Sequence, residues 1–225
     1  MNELLNAALY YASLGWSVIP LRPKDKKPAL KSWEPYQKER ASEEQIRAWW
    51  KKWTRANIGI VTGTISGIIV LDVDGPEGQE SIADKELPPT TCAITGSGGY
   101  HYIFKHPGGE VRNFARRLPG LDLRGDGGYI VAPPSIHPNG NTYEWGLPPE
   151  MEQPRFPPAW LKDLMGVRSS AGDSPRVDPA KVLAGIPEGS RDTELFKYAA
   201  SLRARGIKRE EAEILVLQAA AACSP

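Results

Sequence analysis

Cysteine is nearly absent from this sequence. The two present, Cys92 and Cys223, lie far apart and in no C-x-x-C pair, which excludes a disulfide-framed scaffold and a cysteine-based zinc site. Histidine is almost as scarce, with only His101, His106 and His137, so a structural zinc centre has too few ligands to draw on. An excess of charge of one sign is also missing: 28 Lys and Arg oppose 27 Asp and Glu, for a net charge of +1. That excludes a wholesale electrostatic attraction to nucleic acid; any such contact has to be a local basic patch, balanced by acidic residues elsewhere. No apolar run approaches membrane-spanning length. The start, MNELLNAALYYASLGW, lacks the basic, apolar and small-residue zones of a secretory signal. The expectation is a cytoplasmic protein with no membrane partner.

What is present alternates between helix-like and strand-like stretches. Asn2 is placed to cap a first helix, with Leu5, Ala8, Leu9 and Ala12 on one face and Gly15 as a stop. Trp16–Pro20 reads as a short strand, followed by a Lys/Pro-rich loop. Ser42 with Gln45 makes a capping-box pattern ahead of Ile46, Trp49, Trp50 and Trp53 at helical spacing. Residues 57–62 and 68–71 read as strands, the second β-branched-rich and expected to be buried on both faces. A helix is predicted from the Pro-Glu-Gly start to about Lys85. Short strands are predicted at 91–95, 100–105, 121–123, 129–132 and 143–145. The resulting units are a main domain over 1–165, a polar linker over 166–186 and a small helical unit over 187–225. The ending Cys-Ser-Pro suggests a piece of a longer polypeptide.

Three segments carry the chemistry. In GIIVLDVDG, Asp72 and Asp74 close an apolar strand, and alternation points both carboxylates to one side. Two neighbouring carboxylates repel, and a hard divalent cation is their natural partner; the plainer alternative is a turn whose aspartates bond backbone amides. In TGSGGYHYIF, the Ser97-Gly98-Gly99 loop offers amides to an anion, and His101 follows at a strand start; the alternative is a hairpin with a half-buried histidine. In GLDLRGDGGYIVAPPS, Asp122 interrupts an apolar strand and Arg124 shares its face. This reads either as a third metal carboxylate with a phosphate-pairing cation or as a structural ion pair. Asp126, in the following turn, is expected to shape that turn. Two basic groups, Arg112, Arg116 and Arg117, and Lys24, Lys26, Lys27 and Lys31, suit either a phosphate backbone or open solvent. The tryptophans at helical spacing suit core packing better than base stacking.

In this order the segments resemble the archaeo-eukaryotic primase superfamily. They are most similar to bifunctional primase-polymerase domains of plasmids, phages and integrated elements. The resemblance runs from Asn2 to Trp160 through GWSVIPL, Lys27-Pro28, SEEQIRAWW, ANIGIVTG, IIVLDVDG, TGSGGYHYIF, and LDLRGDGGYIVAPPS with HPNGNTYEW. It implies an α+β fold, with a modified RRM-like mixed or antiparallel sheet flanked by helices and a small C-terminal helical unit. It implies that Asp72, Asp74 and Asp122 ligate Mg²⁺ or Mn²⁺ in a two-metal site. It also implies that His101, Ser97, Gly98, Gly99, Arg124 and Lys27 contact the nucleotide, and that the partners are a single-stranded DNA template, a primer strand and dNTP or NTP. Arg112, Arg116, Arg117, Lys24 and Lys26 are the positions for DNA contact. One departure stands out: the family's Ser-x-His becomes Gly99-x-His101 here, with Ser97 four residues before the histidine. The tail EGSRDTELFKYAASLRARG is similar to helical units that precede helicase modules, although no P-loop motif is present. Two other readings compete. LDVDG also fits a haloacid dehalogenase-type phosphohydrolase, although Pro76 and the late position in the chain fit it poorly. A non-catalytic replication-initiator domain would need the basic loops but not the aspartates.

Overall fold

A computed structural model describes residues 2–166; the linker expected over 166–186, apart from Gly166, and the helical unit expected over 187–225 lie outside the described residues. Along the chain run α1 (Glu3–Ser13), β1 (Ser17–Leu21), a 3₁₀ turn (Glu34–Gln37), α2 (Glu43–Lys52), β2 (Asn57–Val61), β3 (Ile68–Val73), α3 (Gly75–Ile82), β4 (Cys92–Ile94), β5 (Tyr100–Lys105), β6 (Phe114–Leu118), β7 (Leu121–Arg124), β8 (Tyr129–Ala132), β9 (Glu144–Leu147) and α4 (Ala159–Met165). The class is α+β. None of the helices among the described residues is long and apolar enough to cross a membrane.

Helix starts follow the sequence signals. The Asn2 side chain accepts from the Leu5 amide, and Ser42 accepts from the Gln45 amide. The capping box is only half made, because the Gln45 side chain turns to the Tyr36 hydroxyl instead of its own N-cap. α2 buries Ile46, Trp49 and Trp50, and the Trp50 indole donates to the Ala56 carbonyl. The tryptophan cluster is therefore core, since burial of a large aromatic with its N–H satisfied outweighs exposure for stacking.

The strands form two antiparallel sheets, one of three strands in the order β1-β2-β8 and one of six in the order β6-β7-β3-β5-β4-β9. Every strand pairing in both is antiparallel, which resolves the expected mixed or antiparallel sheet to the latter. β3 lies between β5 and β7, and its alternation separates two cores. Ile68 and Val70 face a core shared with α1, α2 and the three-stranded sheet, while Ile69, Leu71 and Val73 face a second core completed by Leu121, Leu123, Phe114 and Leu161. The expected two-faced burial of this run is thus met by an antiparallel sheet covered on both sides.

Two elements escaped the sequence reading. In the sequence β6 reads only as a basic stretch. It is an edge strand with Phe114 alone buried, and a bulge lies between Ala115 and Leu118 where Arg116 takes φ 52°. Charges and a bulge are how exposed edges are kept from pairing with other chains, and they also erase the alternation that reveals a strand. α4 begins at the end of the Pro-rich run LPPEMEQPRFPPAW; its Leu161 is fully buried under the six-stranded sheet.

Candidate active site

The register of three strands builds the site. Asp72 on β3 lies directly opposite Asp122 on β7 and directly opposite His101 on β5. Directly opposed residues in an antiparallel pair have Cβ atoms about 5 Å apart, so the three side chains form one row across the sheet. Val70 pairs with Arg124 one step further in, which puts the guanidinium on the same face. Ala115 beyond Asp122 and Ala93 beyond His101 continue the row with small residues. Along β3 the face reads Ile68, Val70, Asp72, then Asp74 just past the strand end, so the carboxylates appear where the apolar filling between the sheets stops.

Asp74 is the N-cap residue of α3, in extended conformation, and its side chain makes no capping bond. Its position is set by tight packing around two turns. The Asp74 amide donates to Gly120, and a side chain on Gly78 would meet the Gly120 carbonyl at 2.6 Å. On the other side Gly99 lies against β3; a Cβ there would stand 2.4 Å from the Val73 carbonyl oxygen. This close approach leaves no room for a side chain at position 99.

The electrostatics are those of charges held out of water. The Asp72 side chain is 14% exposed, and its Oδ1 has no hydrogen-bond partner. Burial pushes its pKa up to about 6, with the Arg124 charge opposing and the Asp122 charge adding to the rise. Asp74 is raised as well, by burial first and by Asp72 second. His101 is buried and lowered to about 4, chiefly by desolvation, so at neutral pH it is an uncharged imidazole. Its Nε2 stands 3.4 Å from Asp72 Oδ1, too poorly aligned for a hydrogen bond, and its Nδ1 is also unpartnered. Asp122 is engaged: Oδ2 accepts from Arg124 Nη2 at 2.9 Å, and Oδ1 accepts from the Arg116 amide at 3.1 Å.

In front of the row lies a cleft of about 400 Å³ lined by Lys26, Trp33, Asp72, His101, Asn113, Arg124, Tyr129 and Tyr143 among others. Of the basic loop after β1, Lys26 lines this cleft and Lys27 does not. The Asp25 carboxylate accepts from the Lys26 and Lys27 amides, and Tyr129 donates to the Lys26 carbonyl. Buried Asn57 clasps the loop by donating to Asp25 and Ile136 carbonyls while accepting from the Ile136 amide. Neither Asn57 nor the Trp33–Tyr129 pair, with ring centroids 4.9 Å apart, stood out in the sequence; a buried polar residue inside an apolar strand is the signal that would have found Asn57.

The glycine loop is a closed turn. The Gly98 amide donates to the Thr95 carbonyl and the Gly99 amide to Thr95 Oγ1, so both are already spent. Ser97 Oγ lies 3.0 Å from Thr95 Oγ1. Asp126 pins its turn as expected, accepting from the Thr64 amide and hydroxyl and from the Val111 amide. Among the expected DNA contacts, Arg112 pairs with Glu110 at 3.0 Å, and Arg117 bonds the Leu164 carbonyl while lying over Phe114. Arg116, Lys24 and Lys26 are exposed.

The family description for the N-terminal domain of bifunctional DNA primase/polymerases matches residues 8–160, which includes every strand and all the residues of the cross-strand row. The chain belongs to this family. Comparison with curated proteins gave no match. Membership in the primase/polymerase family supports nucleotidyl transfer in DNA replication, with DNA and nucleotides as the substrate class. The phosphohydrolase reading rests on LDVDG alone, whereas the primase/polymerase match spans that segment together with the histidine and Asp122 segments.

The orphaned Asp72 Oδ1, the repulsion between Asp72 and Asp74 and the hard oxygen donors fit a divalent cation. As the side chains stand, no three His, Cys, Asp or Glu among the described residues are grouped so as to hold one. In the row itself, Asp122 is turned to its arginine.

Proposed function

We propose that this domain is a template-directed nucleotidyltransferase, a DNA primase, a DNA polymerase or both, whose cation site comprises Asp72, Asp74 and Asp122. The observation that carries the reading is the register of β7, β3 and β5, which brings residues 72, 101 and 122 into one row, with Asp72 and His101 of that row lining a cleft that Lys26 and Arg124 also line. Anionic floor and cationic walls suit a metal-bound triphosphate.

In this reading Asp72 and Asp74 hold the cation, and Asp122 joins them. Mg²⁺ or Mn²⁺ bound there supplies the charge that lowers the pKa of an attacking 3′-hydroxyl and offsets that of the pyrophosphate leaving group. Lys26 and Arg124 orient the triphosphate, Lys26 as a mobile point charge and Arg124 as a planar fork. Neutral His101 donates one hydrogen bond to a phosphate oxygen without adding charge. The expected role of Lys27 passes to Lys26, and contact by the Gly98 and Gly99 amides would require their turn to open. Catalysis is then mostly positioning and charge neutralisation. The modified RRM-like description of the core, the separate C-terminal helical unit, and an origin in the replication protein of a mobile element with a helicase module are proposals on the strength of the resemblance. So are single-stranded template binding by the exposed basic residues and a cytoplasmic location.

The test is incorporation of labelled dNTP or NTP on a single-stranded template, with and without primer, in Mg²⁺ and in Mn²⁺. Asp72→Ala and Asp74→Ala should each lower incorporation by at least about 10³-fold with the fold retained. A double variant that still extends primers would rule the reading out, leaving a DNA-binding initiator domain as the better description.

A further inference from the structure

The three carboxylates of the proposed site are not equally free. Asp72 Oδ1 has no partner, and Asp74 is exposed with no capping bond. Asp122 has both oxygens taken. Arg124 Nη2 donates to Oδ2 at 2.9 Å, and the Arg116 amide donates to Oδ1 at 3.1 Å. The second contact is built into the backbone: the β6 bulge between Ala115 and Leu118 is what aims that amide, with Arg116 at φ 52°. The first is held by a movable side chain. Arg124 is 37% exposed, against 21% for Asp122, and it lines the same cleft as Asp72 and His101.

A carboxylate oxygen that accepts a charge-assisted bond from a guanidinium has a lone pair committed and a positive charge beside it. Both disfavour a dication at the same oxygen. A triphosphate entering the cleft offers the guanidinium more negative charge than one aspartate does, in a geometry its planar fork matches.

We propose that Arg124 is a latch on Asp122. In the nucleotide-free protein it withholds the third carboxylate, and a nucleoside triphosphate releases that carboxylate by drawing the guanidinium onto its phosphates. The cation set is thereby completed only when substrate is present. The inference rests on reading Asp72, Asp74 and Asp122 as cation ligands, and it makes Arg124 a positioning residue for Asp122 as well as a phosphate contact. Because coupling between two sites is reciprocal, the same contact makes metal and nucleotide favour each other's binding.

The experiment measures Mn²⁺ affinity by electron paramagnetic resonance of the free ion, on the full 225-residue chain without nucleotide. Wild type, Arg124→Met, Asp122→Asn and the double variant form a cycle, with Arg124→Gln standing in where the methionine variant melts early. Arg124→Met should tighten Mn²⁺ by about 10-fold, within the range usual for coupled sites, and the gain should vanish in the Asp122→Asn background. A non-hydrolysable dNTP should shrink the gap between wild type and Arg124→Met to less than about 2-fold, with the coupling carried by the contact it removes. No gain on removing the arginine overturns the latch. So does a gain that persists without Asp122, which is a general charge effect, and so does a gap that nucleotide leaves unchanged. If Mn²⁺ binds none of these proteins, or binds Asp72→Asn as well as wild type, the cation reading itself falls. That result is distinct from a wild type that binds Mn²⁺ through Asp72 yet gains nothing when Arg124 is replaced.

Discussion

Asp72 is the residue on which stability and function pull in opposite directions. Its carboxyl is raised to about 6 by burial, so the metal-free protein has to hold a charge it would be more stable without. Asp72→Asn should therefore raise the melting temperature of the metal-free protein at pH 7.5, by the equivalent of about 2 kcal/mol, while abolishing incorporation; calorimetry beside a primer-extension assay checks both. The pH dependence follows from the signs. A carboxyl whose folded pKa lies above its unfolded value contributes stability that is complete below about 3.8 and is lost as pH rises through about 6. His101, lowered to about 4, does the opposite: its contribution is complete above about 6.5 and is lost as pH falls through about 4. Each amounts to roughly 3 kcal/mol over overlapping windows, so in wild type they oppose each other. In Asp72→Asn the opposing contribution of Asp72 is gone, and chemical denaturation should show stability falling between pH 6.5 and 4 more steeply than in wild type. Metal binding senses the same carboxyl: Mn²⁺ affinity should weaken as pH falls through about 6, with proton release from Asp72 on binding visible as buffer-dependent heats.

At the scale of elements, the turns hold the acidic residues in place. Gly99→Ala would drive a Cβ against the Val73 carbonyl at 2.4 Å, and a clash with backbone cannot be relieved by a rotamer change. The expected result is a loss of about 1–3 kcal/mol together with weaker Mn²⁺ binding, because Val73 leads directly into Asp74; thermal melts with a metal titration test it. Ser42→Ala on α2 is the contrasting case. It removes a cap bond to the Gln45 amide far from the cleft and should cost about 1 kcal/mol with incorporation per folded molecule unchanged. The β6 bulge works in the other direction, from structure to chemistry, since it supplies the backbone amide that holds one oxygen of Asp122.

On the scale of the whole described molecule, β3 is the common wall of two cores. Ile68 to Leu71 are each at most 2% exposed; all four pair with β5, and Val70 and Leu71 pair with β7 on the other side as well. Native-state hydrogen exchange should find these amides among the slowest, opening only with global unfolding, whereas edge strands β6 and β9 should exchange by local opening. A site mounted on the most protected strand is rigid at its floor, while its cationic walls are long side chains, Lys26 from a loop and Arg124 at a strand end. This division fits a site that holds its cation in fixed geometry and adjusts to substrate through its arginine and lysine.

Much of this was legible before folding. Local rules placed α1, α2 and β3, and alternation alone put Asp72 and Asp74 on one side and Asp122 with Arg124 on another strand's single face, because side-chain direction in a strand depends only on parity. The three segments and their order carried the family resemblance. What residue order could not decide was register: that position 122 meets 72, and that 101 meets 72 from the other side, depends on pairings between strands 29 and 50 residues apart in the chain. Nor could it decide which lysine of the basic loop reaches the cleft, where the loop is tied down by Asn57 and Tyr129 from distant strands. It also left open whether the carboxylate at 122 would face a cation or an arginine. That depended on a bulge in an edge strand and on one guanidinium, which only the packed sheet brings within bonding distance.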